Sequence, residues 1–168
     1  MMEKLWSETE EGIILCVWGG SGTTVIRWLQ SRRPISVGIR PGTVFSTTMS
    51  ASGRVFLTYL PEARTRRVVE EEIREQGTDG NPLAVRSVGD LEPIIEETRR
   101  HRMARVEGHS IEYVSALAAP VFDYRGEVVL SLALFGFKSD FVVSWDGRNA
   151  RLVDRTTAGI SARVGYVG

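Results

Sequence analysis

Residues 113–136, YVSALAAPVFDYRGEVVLSLALFG, form two apolar runs joined by the polar stretch Asp123, Tyr124, Arg125, Gly126, and no other part of the chain limits its fold so tightly. A first run of small and β-branched residues, a short turn with glycine where positive φ is needed, and a cleanly alternating second run predict a β-hairpin. Both strands are apolar at nearly every position, which a strand with one wet face does not tolerate. The hairpin therefore belongs in the middle of a sheet covered on both sides. Alternation puts Ser131, Ala133 and Phe135 on one face of the second strand and Leu130, Leu132 and Leu134 on the other; Val114, Ala116 and Ala118 share a face of the first. Small residues facing one way leave room for a closely packed helix or for a ligand.

A chain of 168 residues, 42% hydrophobic and 25% charged, has the composition of a soluble domain with its own core. The 21 Lys and Arg balance the 21 Asp and Glu, so net charge recommends neither nucleic acid nor a membrane surface as a direct partner. Cys16 is the single cysteine, which excludes an internal disulfide and a cysteine metal cage and suits a reducing, cytoplasmic setting. No apolar run approaches the roughly 18 to 20 residues of a membrane helix, and residues 1–7 are too short and polar for a signal peptide.

Taken in order, residues 3–11 are acidic and polar, with Leu5 and Trp6 as the large apolar side chains, and are expected to be a weakly anchored remnant of a helix or linker. Residues 12–18 read as a strand, the glycines 19, 20 and 22 as a turn, and residues 23–30 as a returning strand. That turn is not a phosphate loop, since no Lys-Ser/Thr follows and the next element is a strand. Alternation over 35–39 predicts a third strand. From Phe45 the period becomes helical through Met49, Ser52, Phe56 and Tyr59 or Leu60, with Ser46, Thr47 and Thr48 as candidate caps and Gly53 allowing a close backbone approach. Pro61 separates this helix from a charged one over 62–76, with a thin stripe of Val68, Val69 and Ile73 and a solvated face of Glu70, Glu71 and Glu72. Residues 77–82 form a loop. Asp90 is the expected N-cap of a helix over 91–102 ending in Arg99, Arg100 and Arg102, an order the helix dipole favours. A closing helix is expected from 146 or 148 to 164, with Gly165 beyond it. The apolar residues Phe141, Val142, Val143 and Trp145 either cover the core or are buried by a second subunit.

Catalytic patterns are weak. His101 and His109 show no spacing to each other or to Cys16 that makes a triad or a zinc site, and both read as surface histidines. Ser50 and Ser52 before Gly53 do not make a nucleophile elbow. No metal ligand set and no cofactor motif is present.

The hairpin core, residues 116–128, ALAAPVFDYRGEV, resembles the signature hairpin of the effector-binding domain in the IclR family of bacterial transcription regulators. Residues 43–61, TVFSTTMSASGRVFLTYLP, are similar to the family segment in which a leucine, a histidine and small residues precede a glycine, a basic residue and an apolar helix ending in proline; Gly53, Arg54, Leu57, Leu60 and Pro61 fit. The family's histidine is Thr48 here, and the glycine that often opens the hairpin strand is Tyr113. Residues 160–166, ISARVGY, resemble the closing helix, so the likeness covers nearly the whole chain.

The resemblance implies an α+β, GAF-like domain: a central antiparallel sheet of about six strands with helices on both faces. It implies a regulatory domain over 12–168, with the N-terminal winged helix-turn-helix absent and DNA contacted only through that missing part. It further implies a homodimer or homotetramer and a small-molecule effector, a carboxylic or aromatic acid, held between the sheet and the helix after Phe45. Family positions matching Ala51, Ser52, Ala116, Ala133 and Phe135 line that pocket. With Phe45, Ser50, Gly53 and Val114 they make the expected ligand site, backbone N–H groups of residues 50–53 anchoring a carboxylate and Ser50, Ser52, Ser115 or Arg27 assisting. A small enzyme, or a stand-alone sensor on the same scaffold, is the alternative.

Overall fold

The computed structural model describes residues 1–33, 35, 37–76 and 80–168. Helix α1 (Met2–Thr9) leads into strand β1 (Gly12–Gly19), which turns back through Gly22, at φ 125°, into β2 (Gly22–Leu29). A two-residue strand β3 (Val44–Phe45) pairs with the outer edge of β2. Helices α2 (Ala51–Tyr59), α3 (Glu62–Gln76) and α4 (Leu91–His101) follow, then strands β4 (Ala104–Glu107), β5 (Val114–Phe122) and β6 (Val128–Phe137), and helix α5 (Arg148–Arg163) closes the fold. The six strands form one sheet in the order β3-β2-β1-β6-β5-β4 with antiparallel neighbours throughout, an α+β, GAF-like architecture.

The hairpin forms as its alternation predicts. β5 and β6 pair from Val114↔Phe137 to Phe122↔Val128, and the turn closes with Gly126 N–H donating to the Asp123 carbonyl at 2.9 Å while Gly126 takes φ 76°. Its two faces feed two cores. Ala116, Ala118, Ala133 and Phe135 pack with Val55 and Phe56 of α2. Leu117, Ala119, Leu132 and Leu134 pack instead with Leu152 and Val153 of α5 and with Leu5 of α1. Each fully buried leucine there contributes about 1.5–3 kcal/mol of hydrophobic stabilisation. A third cluster, around Leu57, Val69, Val85 and Leu91, joins α2, α3 and α4.

The structure revises several expectations. α1 is packed rather than loose: Met2 and Leu5 are buried, the Trp6 indole donates to the Gln30 carbonyl at 2.7 Å, and Arg155 of α5 pairs with Glu8 at 2.7 Å. The described residues of 35–39 belong to no strand; Ile35 and Ile39 are nevertheless buried in the α2-side core. Residues 34, 36 and 77–79 lie outside the described residues, so the first part of the expected 77–82 loop does too. α2 starts six residues later than its apolar spacing indicates, because Phe45 pairs in β3 and Ser50 is the N-cap, accepting from Gly53 N–H at 3.0 Å. Asp90 precedes α4 but its carboxylate accepts from the amides of Arg86 and Ser87, completing a capping box for the 3-10 turn Val88–Asp90. Phe141 and Val143 are buried in the α5-side core and Trp145 packs on it, while Val142 is exposed.

Glu72 is the clearest exception to the charged helix. Glu70 is solvated, but the Glu72 carboxylate turns inward and accepts from Thr47 N–H at 2.6 Å, Thr48 N–H at 3.0 Å, the Ser46 hydroxyl at 2.8 Å and the Thr48 hydroxyl at 3.1 Å. One turn on, Gln76 bonds the same two hydroxyls. α3 is thereby fastened to the segment that leads into α2.

Candidate functional site

The small face of the hairpin and the first turn of α2 do not meet completely, and a cavity remains between them. Its volume available to the centre of a water molecule is about 80 Å³. The sheet supplies Ile14, Val114, Ala116, Ala133 and Phe135; β3 supplies Phe45; and Ser50, Ala51 and Ser52 come from the start of α2. The small side chains of Ala116 and Ala133, on paired strands, keep the floor low. Phe135 forms an end wall: its ring lies over Gly12, where an added Cβ would come within 2.3 Å of it, so glycine is needed at that point of β1.

Eight of the nine residues expected at the site border this cavity. Gly53 does not. It faces the 46–47 backbone, where a Cβ would fall 2.5 Å from the Ser46 oxygen and the Thr47 Cα, so it serves the close approach of α2 to that segment. Of the expected assisting groups, Ser115 and Arg27 are also elsewhere. Ser115 is buried with its neighbours Leu117 and Ala119 on the opposite face of β5, and Arg27 is exposed and paired with Glu3 of α1.

Sequence reasoning missed the far side of the cavity. Val37 and Ile39 border it from the irregular segment after β2, Val106 from β4, and His109, Ser110 and Ile111 from the loop between β4 and β5. Alternation in 35–39 marked the first pair as buried but gave the wrong backbone. Nothing periodic marks 109–111, which reach the site because Ser110 donates to the Met49 carbonyl at 3.2 Å across 61 residues of chain.

The wall is apolar apart from four side chains, and two of those are occupied. The Ser50 hydroxyl caps α2 and donates to the Ser46 carbonyl at 2.6 Å, and Ser110 holds Met49. Ser52, 3% exposed, has a buried hydroxyl without a hydrogen-bond partner among the described residues; the Cys16 thiol beside it is a weak one. Burial pushes that thiol up to about 12, so it stays protonated and inert. His109 accepts the Glu107 N–H on Nδ1 at 3.1 Å. Burial, reinforced by the Arg54 charge, lowers its pKa to about 4 and keeps it neutral.

Behind the α2 end of the cavity Arg54 is 6% exposed, and burial pulls its pKa down to about 10. Its guanidinium donates to the carbonyls of Thr48 at 2.9 Å and Arg105 at 3.0 Å. Among the described residues no carboxylate bonds to it directly, although the Glu97 charge acts on it. The α2 N-terminus adds its partial positive charge at this end of the cavity. Among the described residues no cluster of His, Cys, Asp and Glu has metal-ligand spacing, and no helix is long and apolar enough to cross a membrane.

Comparison with known proteins agrees with the architecture. HmgR of Pseudomonas aeruginosa superposes with a TM-score of 0.85 at 33% identity, covering 98% of this chain and 64% of that one. The Thermotoga maritima IclR structure superposes at 0.83 with 19% identity, covering 98% and 65%, a likeness of fold. The probable transcriptional regulator SauR of Cupriavidus necator is 22% identical over 135 residues, 80% of this chain and 52% of SauR. The chain thus spans about half of the curated relative and less than two thirds of these solved regulators. The family model described as bacterial transcriptional regulator IclR C-terminal matches residues 1–162, and the chain belongs to that family.

Proposed function

We propose that this domain senses a small organic acid in the cavity between α2 and the β5–β6 face and transmits its occupancy to a DNA-binding winged helix outside residues 1–168. The observation that carries the reading is Ser52: a buried residue whose hydroxyl has only the weak Cys16 thiol beside it, at the N-terminus of a helix and bordering an apolar void. A buried polar group without a partner costs about 1–3 kcal/mol, which a ligand's acidic head at the first α2 turn offsets. The apolar remainder of the wall favours an aliphatic or aromatic body over a small polar oxoacid, because each further polar group on the ligand would be left unpaired.

Relatives named as transcriptional regulators support binding rather than catalysis as the role of the cavity. The domain works in the cytoplasm as a homodimer or homotetramer, needs no cofactor, and does not itself grip DNA, since its 21 basic and 21 acidic residues cancel. Thermal denaturation across a panel of carboxylic acids tests the reading. A bound acid raises the melting temperature with no product formed. If none does, the cavity is structural. Sedimentation across the micromolar range tests self-association, and a monomer throughout would refute it.

A further inference from the structure

The loop between β4 and β5 is tied down on both flanks of His109. Asn81 donates to the His109 carbonyl at 3.0 Å, and Ser110 donates to the Met49 carbonyl at 3.2 Å. The ring is fixed too. Because Nδ1 accepts the Glu107 amide at 3.1 Å, that nitrogen carries no proton, and the neutral imidazole must hold its hydrogen on Nε2. Among the described residues nothing accepts from Nε2, although the residue is half-buried and borders the cavity.

Two further groups have capacity to spare nearby. The Ser52 hydroxyl has only the weak Cys16 thiol beside it, and the buried Arg54 guanidinium spends its hydrogen bonds on neutral carbonyls, with the Glu97 charge acting on it without a direct contact. A buried cation without a directly bonded counter-charge is costly, and an anion placed close to it relieves that cost. One free N–H, one hydroxyl with only a weak thiol partner and a buried guanidinium without a directly bonded carboxylate together fit a carboxylate.

We infer that His109 is the specificity-determining residue of the cavity, its Nε2–H donating to the carboxylate of the effector while Ser52 donates from the α2 side and Arg54 supplies charge from behind. This rests on the reading of the cavity as the effector site, and it adds that the acid is read by a neutral imidazole from the loop between β4 and β5.

The test uses the 168-residue chain with benzoate and phenylacetate as probes and their primary amides as controls, binding being followed by melting temperature and by calorimetry. The acids bind the native chain more tightly than the amides. His109→Leu weakens the acids by about tenfold or more, the usual effect of removing a hydrogen bond to a charged group, and narrows the gap to the amides; His109→Gln, which keeps an N–H donor, recovers part of it. Acids that bind native and His109→Leu chains equally overturn the role of His109 and leave the sensing role standing. Acids that stabilise neither overturn both. Should His109→Leu fail to fold, the native chain still decides the matter, because the Nε2 resonance of His109 must shift as benzoate or phenylacetate saturates the site, and an unmoved resonance refutes the contact.

Discussion

The Glu72 carboxylate and the Thr47 amide meet at 2.6 Å, joining the middle of α3 to the segment that carries Phe45 into α2. Glu72 also takes the Thr48 amide and two hydroxyls, so a side chain from a helix that does not border the cavity fixes the backbone of one that does. Glu72→Ala strands two amides in a partly buried place, and the expected loss is about 1–3 kcal/mol in urea denaturation. Hydrogen exchange should accelerate at Thr47 and Thr48 before it does in β5 or β6. A loss below about 0.5 kcal/mol, ordinary for a surface change, would show the contact to be incidental.

Gly53→Ala sets two effects against each other. Alanine in a helix interior is favoured over glycine by about 1 kcal/mol. The added methyl, however, would sit 2.5 Å from three backbone atoms of Ser46 and Thr47, which are themselves held by Glu72. Backbone cannot yield as a flexible side chain does, so the clash wins and the variant is expected to be less stable by about 1–3 kcal/mol. A variant as stable as the native chain in equilibrium denaturation would mean that the segment gives way freely.

Ala133→Trp fills the void from the sheet side. Its Cβ is on the small face opposite Ile14 and Ala118, so the indole enters the space a ligand would take. The circular dichroism spectrum should be unchanged, overpacking should cost about 1–3 kcal/mol, and calorimetry should show no heat with whichever acid stabilises the native chain. Unchanged affinity would move the ligand site away from this cavity.

His109 gives the domain a pH dependence of defined sign. Its pKa in the folded chain is about 4, against 6.5 in the unfolded chain, so on acidification the unfolded form takes up the proton first. Stability is therefore whole above about pH 6.5 and falls as pH drops towards 4. The full shift corresponds to about 3 kcal/mol, and half-exposure reduces that to about 1–2. The charged groups acting on the ring are Arg54 from α2 and Lys138 after β6. His109→Gln should flatten the difference in unfolding free energy between pH 7 and pH 5, and an undiminished difference would assign the effect to other groups.

How much of this was legible in the sequence depends on whether a residue's neighbours are near it in the chain. The hairpin was readable because strand alternation and Gly126 are local signals, and with it the faces that carry Val114, Ala116, Ala133 and Phe135. Local signals also misled. Phe45 and Met49 happen to stand at helical spacing from Phe56, which drew the expected caps to Ser46, Thr47 and Thr48 and away from the true cap, Ser50. Glu72 looked like its solvated neighbours because its partners lie 24 to 26 residues back. His109 was unreadable for the same reason: its surroundings are set by Arg54 and Met49, not by any pattern around it.

The alternation of β6 has an evolutionary consequence. Positions 133 and 135 shape a void, whereas 132 and 134 hold α5, and the two sets interleave in one strand without sharing a core. Substitutions at the first set redraw what fits the void and are felt on the α2 side, while the packing of α5 is left alone. Inheritance can vary the taste of such a sensor one codon at a time, while every second codon conserves the scaffold.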